Sequence, residues 1–287
     1  MTAAADTPVL ELDGIVKVFG GLRAIGGVSF AVRPKQIFGL IGPNGAGKTT
    51  IFNVVTGVYK PDGGAVRFQG HSIGGVAPWR IALAGIGRTF QNIRLFTQMS
   101  VIENVMVSAH HTASAGVLGA MLRTRRHADN ERAMRDKALE LLDAFGLAPH
   151  KDEEARSLPY GSQRRLEIAR AMMLEPKLIL LDEPAAGMNS REATKLMEQI
   201  RWLRDRFGLT IVLVEHNMQV VMGVCEHVHC VDHGETIASG TPDEIKRHPA
   251  VLAAYLGEEA DESEVEAARE AVDAAPKPEG EGEEVLT

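Results

Sequence analysis

The stretch Gly42 to Thr50, GPNGAGKTT, spaces its glycines, lysine and hydroxyls as G-x-x-x-x-G-K-[ST], a pattern whose chemistry is phosphate binding. Gly42, Gly45 and Gly47 let the backbone turn successive N–H groups inward, and such a nest at the positive end of a helix attracts anionic oxygen. Lys48 is then placed to reach the β and γ phosphates of a nucleotide, and the Thr49 hydroxyl to hold Mg²⁺. The flanks fit, because Ile37 to Ile41 reads as a short buried strand and Thr49 to Thr56 as the opening of a helix. A bland glycine turn accounts poorly for the fixed positions in that setting.

Two further apolar runs end in groups able to act on a phosphate. Leu178-Ile179-Leu180-Leu181 leads into Asp182 and Glu183, a buried strand ending in paired carboxylates. Burying such a pair is costly unless solvent or a cation meets it. Asp182 is placed to bind Mg²⁺ and Glu183 to orient and deprotonate water; a merely solvated strand end is the competing reading. The strand Thr210 to Val214 stops at Glu215-His216. A lone histidine after a strand is more often structural, but a third core strand ending beside the same phosphate makes His216 a γ-phosphate sensor. Gln91 ends Gly87-Arg88-Thr89-Phe90-Gln91, read as a strand that stops where helical composition begins.

Ser157-Leu158-Pro159-Tyr160-Gly161-Ser162-Gln163 opens a helix that continues through Met173. Gly161 and the free N–H groups behind it can face an anion, although an ordinary helix start is the default for such a segment. Cys225-Glu226-His227-Val228-His229-Cys230 holds all the ligand types for zinc. Spacing argues against a metal: Met218, Val221, Met222 and Cys225 share one helical face, while His229 and Cys230 point to opposite sides of a strand.

These groups need elements to hold them. Val9 to Phe19 and Val28 to Val32 alternate apolar and polar residues as an antiparallel pair, and the turn Lys60-Pro61-Asp62-Gly63-Gly64 returns Ala65 to Gly70 as another strand. Phe19, just before Gly20-Gly21, is either a platform for a purine ring or a strand-end core residue. Ser100 and Glu103 form a capping box for a helix to about His110, and Met134, Ala138, Leu141, Leu142 and Phe145 mark a second helix that Gly146 stops. Between them, Gly116 to Arg126 sets Leu118, Met121 and Leu122 beside Arg123, Arg125 and Arg126. A solvated basic turn is preferred there over an amphipathic surface for a membrane protein or anionic lipid. Leu196, Ile200, Leu203 and Phe207 mark a helix; Val228 to Val231 and Glu235 to Ala238 close the core, with small helices from Thr241 to Leu256.

At 287 residues, 45% hydrophobic and 24% charged, the chain is of ordinary globular composition, compatible with one main domain carrying an insertion. No apolar run approaches the ~20 residues of a membrane span. The start, MTAAADTPVLELD, lacks a basic segment followed by an apolar one, so export is not expected, and two cysteines are too few for a disulfide scaffold. The net charge of −7 resides in the segment from Glu258 onward, which has 12 acidic and two basic residues. The body is near neutral and offers no strong footprint for nucleic acid. The expected organisation is a flexible leader at 1–8, a main domain at 9–257 and a disordered acidic tail at 258–287.

The phosphate loop, Gln91, LPYGSQ, LILLDEP from Leu178 to Pro184, and His216 follow one another in an order that resembles the ATP-binding subunits of ABC transporters, over about residues 9–257. GRTFQNIRLF, YGSQRRLEIARA, DEPAAGMN and EHNMQVVMGVCEHVHCVDHGE are similar to the branch serving branched-chain amino acid importers, and the helical insertion around Gly116 to Arg132 suits that branch. The resemblance implies an α/β fold: a P-loop NTPase (RecA-like) core with an antiparallel β-subdomain and an inserted α-helical subdomain at about 92–168. It implies ATP and Mg²⁺. Phe19 would stack on adenine, and Gly42, Pro43, Asn44, Gly45, Ala46, Gly47, Lys48, Thr49 and Thr50 would bind phosphates. Thr49, Gln91 and Asp182 would serve Mg²⁺, with Glu183 as the base and His216 at the γ-phosphate.

The same resemblance implies a dimer. Tyr160, Gly161 and Ser162 would face the ATP held by a second ATP-binding subunit, a copy or a homologue. Closing and opening would drive transmembrane permease subunits, supplied by an extracytoplasmic solute-binding protein, with this chain peripheral on the cytoplasmic face of the inner membrane. No direct contact with nucleic acid is expected. Where the common signature is Leu-Ser-Gly-Gly-Gln, this chain reads Leu158-Pro159-Tyr160-Gly161-Ser162: Pro159 lacks the serine hydroxyl and Ser162 replaces a longer amide. Hydrolysis is expected to survive on backbone N–H groups and the helix dipole. Asn189 stands where many relatives have Asp. The alternatives are the ATPase of an amide or urea importer or a lipopolysaccharide-type exporter, or a soluble ABC ATPase acting on nucleic acid, which usually carries two cassettes or long coiled-coil insertions.

Overall fold

Three runs of five residues, Ile37–Ile41 (β3), Leu178–Asp182 (β7) and Thr210–Val214 (β8), are buried throughout. Continuous apolar runs of this kind suit strands covered on both faces. Their side chains alternate between two cores. Ile37, Ile41, Ile179, Leu181, Ile211 and Leu213 face one; Phe38, Leu40, Leu178, Leu180, Val212 and Val214 face the other. The computed structural model describes residues 7–112 and 125–259. Most of the expected leader, nearly all of the Gly116 to Arg126 stretch and the tail from residue 260 lie outside the described residues.

The central sheet has six strands in the order β10-β9-β3-β8-β7-β6, where β6 is Ile86–Arg88, β9 His227–Asp232 and β10 Glu235–Gly240. β6, β7, β8, β3 and β9 are parallel, and only β10 runs antiparallel to its neighbour. The segments leaving β3, β6, β7 and β8 therefore emerge along one edge of the sheet, where ligands of open α/β sheets are met. A second sheet, ordered β2-β1-β4-β5, is antiparallel: β1 is Leu10–Phe19, β2 Leu22–Val32, β4 Gly63–Phe68 and β5 His71–Ser72. It closes the core that includes Phe38, Phe52 and Leu180.

Two strands differ from their expected bounds. β2 begins at Leu22 rather than Val28, because irregularities in its register with β1 interrupt the two-residue alternation on which the reading relied. β6 stops at Arg88, so Gln91 lies beyond the strand rather than at its end. Past Arg88, the Thr89 N–H still donates to Leu180 O, but the Phe90 N–H turns to the Glu167 carboxylate.

Helices complete both cores, the first two on the side of the antiparallel sheet and the later ones on the opposite side. α1 (Lys48–Val55) follows the phosphate loop, and α2 (Pro78–Ala84) precedes β6. The inserted subdomain is built from α3 (Val101–Met106), α4 (Arg125–Ala144) and α5 (Tyr160–Met172). Ser100 and Glu103 form the expected capping box, though the helix tightens to 3₁₀ geometry at Val107–Thr112 instead of continuing. α6 (Ser190–Phe207) and α7 (Met218–Val224) flank β8. α8 (Pro242–Lys246) and α9 (Pro249–Glu259) finish the fold. Among the described residues no helix is long and apolar enough to cross a membrane.

Candidate functional site

The loop after β3 bends through backbone that only glycine accepts without strain. A Cβ on Gly42 would sit 2.0 Å from Val231 O, and one on Gly47, at φ 102°, would sit 2.8 Å from Ala24 O. Both positions therefore need glycine for space as well as for backbone freedom. Gly47 caps α1, and Ile51 N–H donates to Gly47 O at 2.9 Å. Lys48 is buried and folds over its own loop, donating to Gly42 O at 2.5 Å and Pro43 O at 2.7 Å. Those carbonyls are neutral acceptors, and an anionic oxygen is a stronger one. At the loop's start, Gly42 N–H donates to Tyr255 Oη of α9 at 2.8 Å.

β7 delivers two acids to the same edge in different surroundings. Asp182 is buried, and Arg88 Nη2 donates to its Oδ2 at 2.9 Å. The sequence reading left the carboxylate to metal or solvent; the structure supplies an arginine. Glu183 is held at φ 45°, in the left-handed region, with its N–H donating to Val214 O at 2.9 Å. Its Oε2 accepts from Gln91 Nε2 at 2.7 Å, and His216 Nδ1 lies 3.8 Å from that oxygen. Gln91, Glu183 and His216, read separately from three segments, thus meet at one carboxylate oxygen. A carboxylate held through one oxygen by an amide and an imidazole keeps its other oxygen for a further donor, water included.

Glu215 was read only as a flank of His216, yet it organises both loops. It is fully buried; its Oε1 accepts from Ala185 N–H at 2.6 Å and its Oε2 from Asn217 N–H at 3.2 Å. Burial pushes its pKa up, against those two backbone donors. One carboxylate thereby ties the turn after Glu183 to the turn after His216. A second unforeseen pair lies in α5: buried Arg164 and Glu167 are 3.2 Å apart. Arg164 donates to Phe90 O at 2.7 Å and to Gln91 O, while Glu167 accepts from Phe90 N–H at 3.3 Å and Arg94 N–H at 3.4 Å. The segment carrying Gln91 is thus fastened to α5. An i, i+3 pair of opposite charges is legible in the sequence, but its long-range partners are not.

The signature residues are elsewhere. Pro159 caps α5 without a side-chain bond, and Pro159, Tyr160 and Gly161 are exposed. Ser162 Oγ accepts from Arg165 Nη2 at 3.0 Å. They line a groove of about 950 Å³ together with Pro184, Gly187 and Trp202, to which the phosphate loop contributes no residue. Asn189 caps α6 in a capping box with Glu192, accepting from Arg191 N–H and Glu192 N–H at 3.0 and 3.1 Å. Phe19 is 39% exposed at the end of β1. Tyr59 meets it edge-on at 5.0 Å between ring centroids and Lys17 Nζ lies 5.2 Å away, so it is a rim residue rather than core.

Burial pushes the thiols of Cys225 and Cys230 up to about 12, and His229 bonds to the hydroxyls of Ser239 and Thr236. For a magnesium ion, the donor set of Thr49 hydroxyl, Asp182 carboxylate and Gln91 amide fits, being hard oxygens beside a cradle of backbone N–H groups.

A glycine loop between β3 and α1, paired acids at the end of β7 and a histidine after β8 define a phosphate-loop nucleotide-binding ATPase. The family model described as "ABC transporter" matches residues 25–186, and that described as "Branched-chain amino acid ATP-binding cassette transporter" matches residues 235–261. The chain belongs to the ABC transporter family of ATP-binding proteins, in its branched-chain amino acid branch. It is 44% identical over 251 residues to the high-affinity branched-chain amino acid transport ATP-binding protein LivG of Salmonella typhimurium, covering 88% of this chain and 98% of that one. BraF of Pseudomonas aeruginosa, described in the same words, is 43% identical with the same coverage. The ADP conformation of MJ1267, an ATP-binding cassette of an ABC transporter, superposes with a TM-score of 0.76 at 31% identity, covering 87% of this chain and 99% of that one.

Proposed function

We propose that this chain is the ATP-hydrolysing subunit of a membrane importer for branched-chain amino acids. It would work as one half of a nucleotide-sandwich dimer, against transmembrane permease subunits on the cytoplasmic face of the inner membrane. The observation that supports this most is the match to LivG along 98% of that protein's length. An extracytoplasmic solute-binding protein delivers the amino acid in this reading, and nucleic acid plays no part.

The residues divide the work. Phe19 stacks on the base. Gly42, Pro43, Asn44, Gly45, Ala46, Gly47, Lys48, Thr49 and Thr50 wrap the phosphates, and Lys48 exchanges the carbonyls of Gly42 and Pro43 for phosphate oxygens. Thr49, Asp182 and Gln91 would hold Mg²⁺, which when bound would neutralise charge on the phosphates. Glu183 takes the proton of the attacking water, and Gln91 and His216 keep its carboxylate aimed. Tyr160, Gly161 and Ser162 of the second subunit close the site from its far side, with backbone N–H groups replacing the hydroxyl that Pro159 lacks. Within one chain, Arg164 and Glu167 fasten the Gln91 segment to α5, whose signature end faces the other subunit's nucleotide, so occupancy of one site and the pose of the signature at the other move together.

Co-expression with neighbouring permease subunits and reconstitution into vesicles tests the whole. Radiolabelled leucine should accumulate only with ATP and the cognate binding protein. Failure to bind any permease, or ATP turnover that responds to unrelated solutes and not to leucine, isoleucine or valine, overturns the reading.

A further inference from the structure

Arg88 is a cation the reaction does not call for, placed on the carboxylate where a metal is expected. Its side chain is 8% exposed and that of Asp182 6%, with 2.9 Å between Nη2 and Oδ2. Nη1 donates to Asn53 Oδ1 at 2.7 Å and to Thr56 Oγ1 at 3.2 Å. Asn53 belongs to α1 and Thr56 caps it, so the guanidinium bridges the end of the phosphate-loop helix to the end of β7. The rings of Phe52 and Phe90 lie 5.5 and 5.0 Å from it, and its buried Nε has no hydrogen-bond partner.

An arginine in so apolar a box is retained only if an anion compensates it, and the same holds for the buried acid. Aromatic faces offset part of the cation's desolvation but none of the anion's. A divalent ion on Asp182 would meet a positive charge already seated there, and the two cations repel. We infer that Arg88 is the resident counter-cation of Asp182: a positioning residue that neutralises and orients the carboxylate in the nucleotide-free protein and, by competing with Mg²⁺, sets how much of the ion the site demands. This rests on the reading of Asp182 as a metal-holding residue.

Thermal unfolding of the full-length chain without nucleotide, at constant ionic strength, with EDTA or with MgCl₂, tests it. The wild type should be indifferent to Mg²⁺. Arg88→Gln should melt roughly 5 °C or more lower in EDTA and recover with MgCl₂ but not with NaCl. Arg88→Lys should restore the indifference, and Arg88→Gln combined with Asp182→Asn should lose the response to Mg²⁺. In binding of a fluorescent ATP analogue, Arg88→Gln should need at least about threefold less Mg²⁺ for half-saturation. An Arg88→Gln protein that melts like wild type, or whose loss Mg²⁺ does not repair, overturns the proposal. If that variant does not fold, the pair is read from Asp182→Asn, which should melt lower because Arg88 is stranded and recover when Arg88→Met is added; no recovery overturns the proposal. Failure of the underlying reading looks different: Asp182→Asn would then bind the analogue with the wild-type dependence on Mg²⁺.

Discussion

Asp182 and Glu183 are adjacent carboxylates at the end of one strand, and their surroundings differ in kind. Asp182 ends β7, buried and locked by a single arginine. Glu183 is one residue further, on left-handed backbone, 17% exposed and held through one oxygen by an amide and an imidazole. The strand's alternation carries the first acid into the interior, and the turn throws the second toward solvent. On the proposed reading, the acid that holds a metal is buried with a fixed partner, and the acid that takes water's proton is left within water's reach.

The sharpest way to break this contrast is Glu183→Gln. It should cut steady-state ATP turnover by about 10²–10⁴-fold while leaving nucleotide affinity and the melting temperature near wild type, because only a proton acceptor is lost. Appreciable turnover in a coupled phosphate-release assay would remove Glu183 from the role of base. Asp182→Asn should behave oppositely on stability, costing about 3–5 kcal/mol in urea unfolding, because Arg88 is left buried without its anion. Equal stability of the two variants would erase the distinction between the acids.

Two further changes sharpen it. Glu215→Gln places an amide N–H₂ against one of two backbone donors, from Ala185 and Asn217. A loss of about 1–3 kcal/mol is expected, with turnover falling roughly tenfold as the turns bearing Glu183 and His216 loosen. The smallest effect belongs to His229, which repeats the buried case beside the exposed His216. Burial lowers its pKa from 6.5 to about 4. The folded chain thus binds the proton more weakly than the unfolded chain. Its contribution is fully present above pH 6.5 and is lost as pH falls toward 4, with no effect at neutral pH. Imidazole signals followed by NMR should show His229 uncharged until the pH nears about 4; titration close to 6.5 would count against the burial argument.

Local pattern made much of this legible. Gly42 to Thr50 announced its own loop, and the strands before Asp182 and His216 were readable because runs buried on both faces cannot be mistaken for solvated ones. The capping box at Ser100 follows the same local rule, and Asn189, noted in the sequence only as standing where many relatives have Asp, starts α6 through a second box. What escaped were partners far apart in the chain. Arg88 and Asp182 are 94 positions apart, and Glu215 reaches back 30 to Ala185. No periodicity encodes such pairs; only the parallel order of β6, β7 and β8 brings them together. The bounds of β2 and β6 slipped for a related reason, since bulges and a side-chain acceptor overrode the strand rhythm.

The phenol of Tyr255 joins two histories in one hydrogen bond. It lies within the stretch matched by the branched-chain amino acid model, while its donor, Gly42, opens the loop found across phosphate-binding ATPases of every kind. A shortened chain that stops at residue 257 keeps this bond, whereas one that stops at residue 250 takes an acceptor from the first N–H of the nucleotide loop. The specialised end of the molecule is thereby stitched to its most general part, and grafting another relative's carboxy-terminal segment onto this core should register first in how tightly the loop grips phosphate.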